Sequence, residues 1–170
     1  EAFIGGIIGV AGLFDLVMPT VRNSTSNIDF SIDDKSSTES FILGGIVGYG
    51  IANVEKTNST GDILLSGSEN YFVGGITGLM YSGNITDSHA SNNISITNGG
   101  AGILVGGLAG QSFTEHNQNN PFPQEQILRS YSTGSINLGD GVGSEMLGTG
   151  GLVGYAEGSA IKDSFSAKTF

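Results

Sequence analysis

Gly150-Gly151-Leu152-Val153-Gly154 is one of five copies of a single pattern. The others are Gly5-Gly6-Ile7-Ile8-Gly9, Gly44-Gly45-Ile46-Val47-Gly48, Gly74-Gly75-Ile76-Thr77-Gly78 and Gly106-Gly107-Leu108-Ala109-Gly110, returning every 30 to 44 residues. A fixed self-similarity on this scale marks a repeat architecture, in which each unit buries its apolar side only by stacking on the next. A second segment comes after every glycine motif, beginning at Val21, Val54, Ile85, Ile127 and Ile161. Each copy carries a hydroxyl three residues on (Ser24, Thr57, Ser88, Ser130, Ser164) and a small residue two further (Ser26, Ser59, Ala90, Ser132, Ser166). A large apolar residue stands beyond these at Phe30, Ile63, Ile94, Ile136 and Phe170. Spacings of two put residues on one side of a strand.

Each repeat therefore reads as three short strands: a glycine strand, a small-residue strand and an aliphatic strand. The fold expected is all-β, a three-sided parallel β-solenoid of about five rungs in a single domain, 1–170. The rungs fall at approximately 3–32, 42–65, 72–96, 104–138 and 147–170. At the usual strand spacing the stack is roughly 24 Å tall. Ile7, Ile46, Ile76, Leu108 and Leu152 form one inward file, and Thr25, Asn58, His89, Tyr131 and Phe165 one outward column. The motif glycines make room in a narrow cross-section or permit a backbone that a Cβ forbids. Insertions are expected at 10–20, 111–126 and 139–149. Pro19, Pro121 and Pro123, the three prolines of the chain, fall in the first two, as central strands exclude proline.

Composition narrows the function. The 170 residues carry a formal charge of −10, with only six Lys and Arg, so nucleic acid and anionic membrane are poor partners. Cysteine is absent, which removes disulfides and thiolate metal sites. No apolar run is long enough for a spanning helix. The first residue is Glu1 rather than Met, so the chain is expected to be processed or cut from something longer. Neither end shows a polar cap, so further repeats or copies of the chain itself are the partners expected there.

Candidate sites are few. His89 and His116, the latter beside Glu115, lack the converging ligands that a metal needs. Asp87 and Asp163 share a column about 10 Å apart, near the upper limit for an inverting glycosidase pair, with Arg129 on the rung between them. Asp140 and Glu145 in a glycine-rich loop match no calcium-loop spacing. The glycine motifs lack the Lys-Ser/Thr of a phosphate loop. No catalytic residue, cofactor or metal is therefore expected. Asn23, Asn58, Asn84 and Asn93 begin Asn-x-Ser/Thr sequons open to glycosylation.

The run from Gly150 to Ala167, Gly-Gly-Leu-Val-Gly-Tyr-Ala-Glu-Gly-Ser-Ala-Ile-Lys-Asp-Ser-Phe-Ser-Ala, resembles the GLUG-motif repeats. Gly106–Leu108 together with Arg129-Ser130-Tyr131-Ser132-Thr133-Gly134 is similar. Such repeats occur in bacterial surface adhesins and in non-catalytic parts of some immunoglobulin A metallopeptidases. The resemblance implies an extracellular or cell-surface structural or adhesive module, not an enzyme, with a glycan or host surface as ligand. No His-Glu-x-x-His is present to carry protease activity. The rival expectations are a polysaccharide-processing enzyme of the β-helix type and a glycan-binding domain.

Overall fold

The computed structural model describes residues 1–12, 18–33, 40–67, 70–100, 102–113, 126–143 and 146–170. It is all-β, without helix among the described residues. The first rung holds β1 (Ala2–Gly5), β2 (Ile8–Ala11), β3 (Thr20–Arg22), β4 (Thr25–Asn27) and β5 (Phe30–Asp33). The second holds β6 (Ser40–Gly44), β7 (Val47–Ile51), β8 (Asn53–Glu55), β9 (Asn58–Thr60) and β10 (Asp62–Ser66). The third holds β11 (Asn70–Gly74), β12 (Thr77–Ser82), β13 (Asn84–Thr86), β14 (His89–Ala90) and β15 (Asn93–Thr97). In the fourth, β16 (Gly102–Gly106), β17 (Ala109–Phe113) and β18 (Gln126–Leu128) precede the long β19 (Tyr131–Leu138). The fifth comprises β20 (Met146–Gly150), β21 (Val153–Glu157), β22 (Ala160–Lys162) and β23 (Phe165–Thr169).

Every strand pairs in parallel with its counterpart on the adjacent rung, giving sheets in the orders β1-β6-β11-β16-β20, β2-β7-β12-β17-β21 and β3-β8-β13-β18-β22. The remaining strands join through β19, which pairs with β14, β15 and β23. This is a parallel β-solenoid. Some residues assigned to insertions from sequence are strand: Val10 and Ala11 in β2, Gln111–Phe113 in β17, Gln126 in β18 and Met146–Thr149 in β20. Positions 13–17, 114–125 and 144–145 lie outside the described residues.

The glycine motif is not one strand. In each rung it is the corner between two, and the small-residue segment likewise divides into two, so a full turn has five strand positions where the sequence pattern suggests three. The reason lies in what each glycine touches. A Cβ on Gly45 would run into Ser59 Oγ and Gly75 O, and one on Gly107 into Ser132 Oγ and Gly151 O. The corner therefore points inward, its backbone against the small-residue column of β4, β9, β14, β19 and β23. The third glycine of each motif faces the other way. A Cβ on Gly48 would lie 2.6 Å from Gly9 O and 2.7 Å from Ile4 O, and one on Gly110 2.5 Å from Val73 N. The two arms of the corner thus approach backbone to backbone, and the paired register skips this glycine on every rung.

The cross-section is a wall of three strands with a folded wedge driven against its middle. The wedge divides the core in two. One lobe packs Ile46, Val47, Ile76, Met80 and Leu108 against Val54, Ile85 and Ile127 of the wall. The other packs Leu43, Tyr71, Val73, Ile103 and Val105 against Ile63, Leu65, Ile94, Ile96 and Ile136. Ile46, Ile76 and Leu108 are fully buried, each worth about 1.5–3 kcal/mol by transfer. Their file is continuous: Ile7 N–H donates to Ile46 O, Ile46 N–H to Ile76 O, Ile76 N–H to Leu108 O and Leu108 N–H to Leu152 O. Leu152 is partly buried against the same lobe. Ile7 stays in the file yet is 43% exposed, contrary to the inward position expected for it, because no described rung lies beyond it.

Gly45→Ala should lower stability by about 3 kcal/mol or more, since its Cβ meets backbone that cannot move aside. Gly9→Ala should cost under about 1 kcal/mol, because its nearest neighbour, Phe3 O, is 3.1 Å away. Urea unfolding followed by circular dichroism measures both, and equal costs would contradict the wedge.

Candidate functional site

The bend between the first two wall strands builds a polar column. Asn23, Lys56, Asp87, Arg129 and Asp163 all hold positive φ there, between 46° and 52°. None is glycine, so the left-handed turn is held by the next residue, which is always Ser or Thr. Its Oγ donates to the carbonyl two residues back, Ser88 to Thr86 O and Ser130 to Leu128 O at 2.8 Å each. The same oxygen accepts from the preceding rung. Ser88 Oγ accepts from Thr57 N–H, Ser130 Oγ from Ser88 N–H and Ser164 Oγ from Ser130 N–H, each at 3.1 Å. This continuous hydroxyl ladder satisfies backbone donors that the bend removes from the sheets.

The charged side chains of this column pair vertically. Arg129 grips Asp87 with two bonds, Nε to Oδ1 at 2.6 Å and Nη2 to Oδ2 at 2.9 Å. The bond from Arg129, with its charge, holds the Asp87 carboxyl below its ordinary range and raises the guanidinium in turn. Both oxygens of Asp87 thus accept from Arg129 on the rung between it and Asp163. Asp87 and Arg129 form an exposed ion pair, and the charge of Asp163 on the next rung also acts on Arg129.

The outward column is confirmed in register: Thr25 pairs with Asn58, Asn58 with His89, His89 with Tyr131 and Tyr131 with Phe165. Its upper rings stack face to face, His89 on Tyr131 at 4.8 Å and Tyr131 on Phe165 at 5.1 Å. His116 and its neighbour Glu115 lie outside the described residues, as does Glu145 beside Asp140. Among the described residues no group of His, Cys, Asp or Glu could hold a metal ion. Of the sequon asparagines, Asn23 is exposed and Asn58 half-buried. Asn84 Nδ2 donates to Asn53 Oδ1 at 3.0 Å, and Asn93 Nδ2 to Asp62 Oδ1 at 2.9 Å, so both amides are engaged between rungs.

The sequence pattern did not reveal the groove on the open side of the wedge. On one arm Phe3, Ile42, Phe72, Leu104 and Gly148 occupy one register column. On the other Val10, Tyr49, Leu79, Gln111 and Tyr155 do. The rings of Phe3 and Tyr49 meet across it at 5.2 Å. At its upper end Leu104, Gln111, Phe113, Tyr155 and Glu157 line an open cavity of about 250 Å³. Tyr155 OH donates to Glu157 Oε2 at 3.1 Å, and this bond, with the carboxylate charge, raises the phenol above its ordinary value. The signal available in sequence was the tyrosine just after two of the five glycine motifs, Tyr49 and Tyr155, which the strict alternation of a single strand assigns to a plain outer surface.

Lys168 is the unusual cation. It sits on β23 opposite Gly134 and reaches past that glycine to donate to Asn92 O on the third rung. Burial pulls its ammonium down from 10.5 to about 8.

Comparison with family models, with curated proteins and with solved structures finds no match to this chain.

Ser88→Ala should cost about 1–3 kcal/mol, because it strips the acceptor from the buried Thr57 N–H. A loss under about 0.5 kcal/mol by chemical denaturation, the size of a neutral surface change, would contradict the ladder. Lys168 has a depressed folded-state value, so the unfolded chain binds more protons between pH about 8 and 10.5 and stability rises through that window. Lys168→Met should therefore stabilise the fold relative to the parent below pH 8, and the difference should shrink as pH rises to 10.5. Paired thermal melts across that range check the sign.

Proposed function

We propose that this chain is a non-catalytic structural and adhesive repeat module of the extracellular or cell-surface kind, a stiff rod whose two end rungs take further repeats or other copies of the chain in register. One observation carries the reading. Among the described residues, nine of the ten exposed large apolar side chains lie on the first or last rung: Phe3, Ile7, Val10 and Ile28 at one end, and Leu147, Tyr155, Ile161, Phe165 and Phe170 at the other. Leu64 is the exception. Ile7 and Ile161 end the columns of one core lobe and Leu147 one of the other, while Phe3, Val10, Tyr155 and Phe165 end the outer columns. Such surfaces take another rung more readily than water.

The direction of stacking comes from the ladder. All rungs run parallel, and each bend donates its N–H upward to a hydroxyl on the succeeding rung. Ser164 N–H points to where a further Ser or Thr would stand, and Ser24 Oγ lies where such a donor would arrive from below. Head-to-tail contact of this kind is heterologous and leaves both ends open, which produces filaments rather than closed dimers. The similarity of Gly150–Ala167 to GLUG repeats of surface adhesins supports the same use, and the pairing of Asp87 with Arg129 fits a structural role for that carboxylate. A glycan or host-surface ligand fits an adhesive role.

Sedimentation velocity and negative-stain microscopy over a range of concentrations test the assembly. Rods whose length grows with concentration are expected, with an axial reflection at about 4.8 Å on alignment. The double variant Ile161→Lys/Phe165→Lys should remain a folded monomer. A parent chain that stays monomeric at its solubility limit would refute end-to-end stacking.

A further inference from the structure

We propose that the cavity between the two arms at the fourth and fifth rungs is a binding site for a single neutral pyranose ring, such as a sugar unit of a glycan. It deepens the adhesive part of the function proposed above, and it is read on the monomer, so it holds or fails apart from end-to-end assembly.

The site arises where the groove loses its filling. Along one arm the register column carries Phe3, Ile42, Phe72 and Leu104, and then Gly148. On the lower rungs bulk from both arms closes the groove, as where the Phe3 and Tyr49 rings meet. At Gly148 one arm contributes no side chain, and about 250 Å³ remains between Leu104, Phe113 and Tyr155. That volume falls below the roughly 300–1,000 Å³ of drug-sized pockets, so it suits one ring rather than an extended ligand.

The lining matches the two-sided character of a pyranose, whose axial C–H groups form an apolar face and whose hydroxyls form a polar edge. Leu104, 2% exposed, gives an aliphatic floor. Tyr155, 44% exposed, offers a ring face for C–H contact. Its own hydroxyl is tied to Glu157 Oε2, which fixes the ring in place before any ligand arrives. Glu157 Oε1 accepts from a sugar hydroxyl, and the Gln111 amide both donates and accepts, as a hydroxyl-rich edge requires. A chain with a formal charge of −10 and a carboxylate on the rim repels uronic and sialic acids, which leaves neutral sugars. An organic cation over the rings is the competing occupant. It would leave the Gln111 amide without a role and meet a carboxylate that already accepts from Tyr155.

Saturation-transfer NMR with the methyl glycosides of glucose, galactose, mannose and N-acetylglucosamine tests the site on dilute, monomeric protein. At least one glycoside should receive saturation, chiefly through its ring C–H protons. Tyr155→Ala should weaken that binding tenfold or more and Glu157→Gln at least threefold, while Tyr49→Ala, in the same column on the second rung, should leave it unchanged. Circular dichroism checks the fold of Tyr155→Ala, and the isosteric Glu157→Gln decides the matter if that variant does not fold. Absence of transfer to all four glycosides, transfer indifferent to Glu157→Gln, or displacement of the sugar by tetramethylammonium would overturn the proposal.

Discussion

The structure depends on one close contact, the backbone of each Gly-Gly corner pressed against the small side chain of the wall strand opposite. Neither partner can grow. A Cβ on Gly75 would sit 2.5 Å from that of Ala90, and one on Gly151 2.5 Å from Ser166 Oγ. Two columns far apart in sequence are therefore one constraint seen from its two sides. Ser132 Oγ goes further and donates to Gly151 O, tying wall to corner. Among the described residues, Ser26 and Ser59 instead lay their hydroxyls against the corners at Gly6 and Gly45 without a hydrogen-bond partner.

The remaining architecture derives from this contact. A wedge that touches the wall separates two lobes, each only two strands wide, so each holds a single file or two of Ile, Leu and Val rather than a broad core. The narrow lobes need the polar bends at their margins to be satisfied locally. The hydroxyl ladder does so at one margin. At the next, Asp29 Oδ1 accepts from Asp62 N–H and Asn93 Oδ1 from Ser135 N–H. The wedge also has an outer side, and the groove between its arms exists only because the corner folds inward.

That inward corner separates an inert rod from one with a place to bind. A solenoid with convex corners turns its outer side chains away from one another. Here the outer columns of two arms converge, and aromatic residues that would stand alone on a convex surface meet across a cleft. The same geometry leaves the far side, with its stacked His89, Tyr131 and Phe165, as a comparatively flat wall.

Much of this was legible in the chain itself. The repeat length, the parallel stacking and the file through Ile46, Ile76 and Leu108 come from like residues at like spacings, because stacked rungs impose the same environment at each level, and the varied column of Asn58, His89 and Tyr131 comes from spacing alone. The paired charges at Asp87 and Arg129 were visible as column neighbours, though not their two-bond grip. The sequence by itself could not set the direction of the corner: a Gly-Gly pair permits a bend either way, and periodicity reports which residues share a side, not which side is inside. Only the tertiary structure decided that, since the choice rests on the glycine backbone fitting against Ser59 and Ala90 across the coil. With it came the two lobes and the cavity at Tyr155, each a product of distant segments meeting rather than of any local pattern.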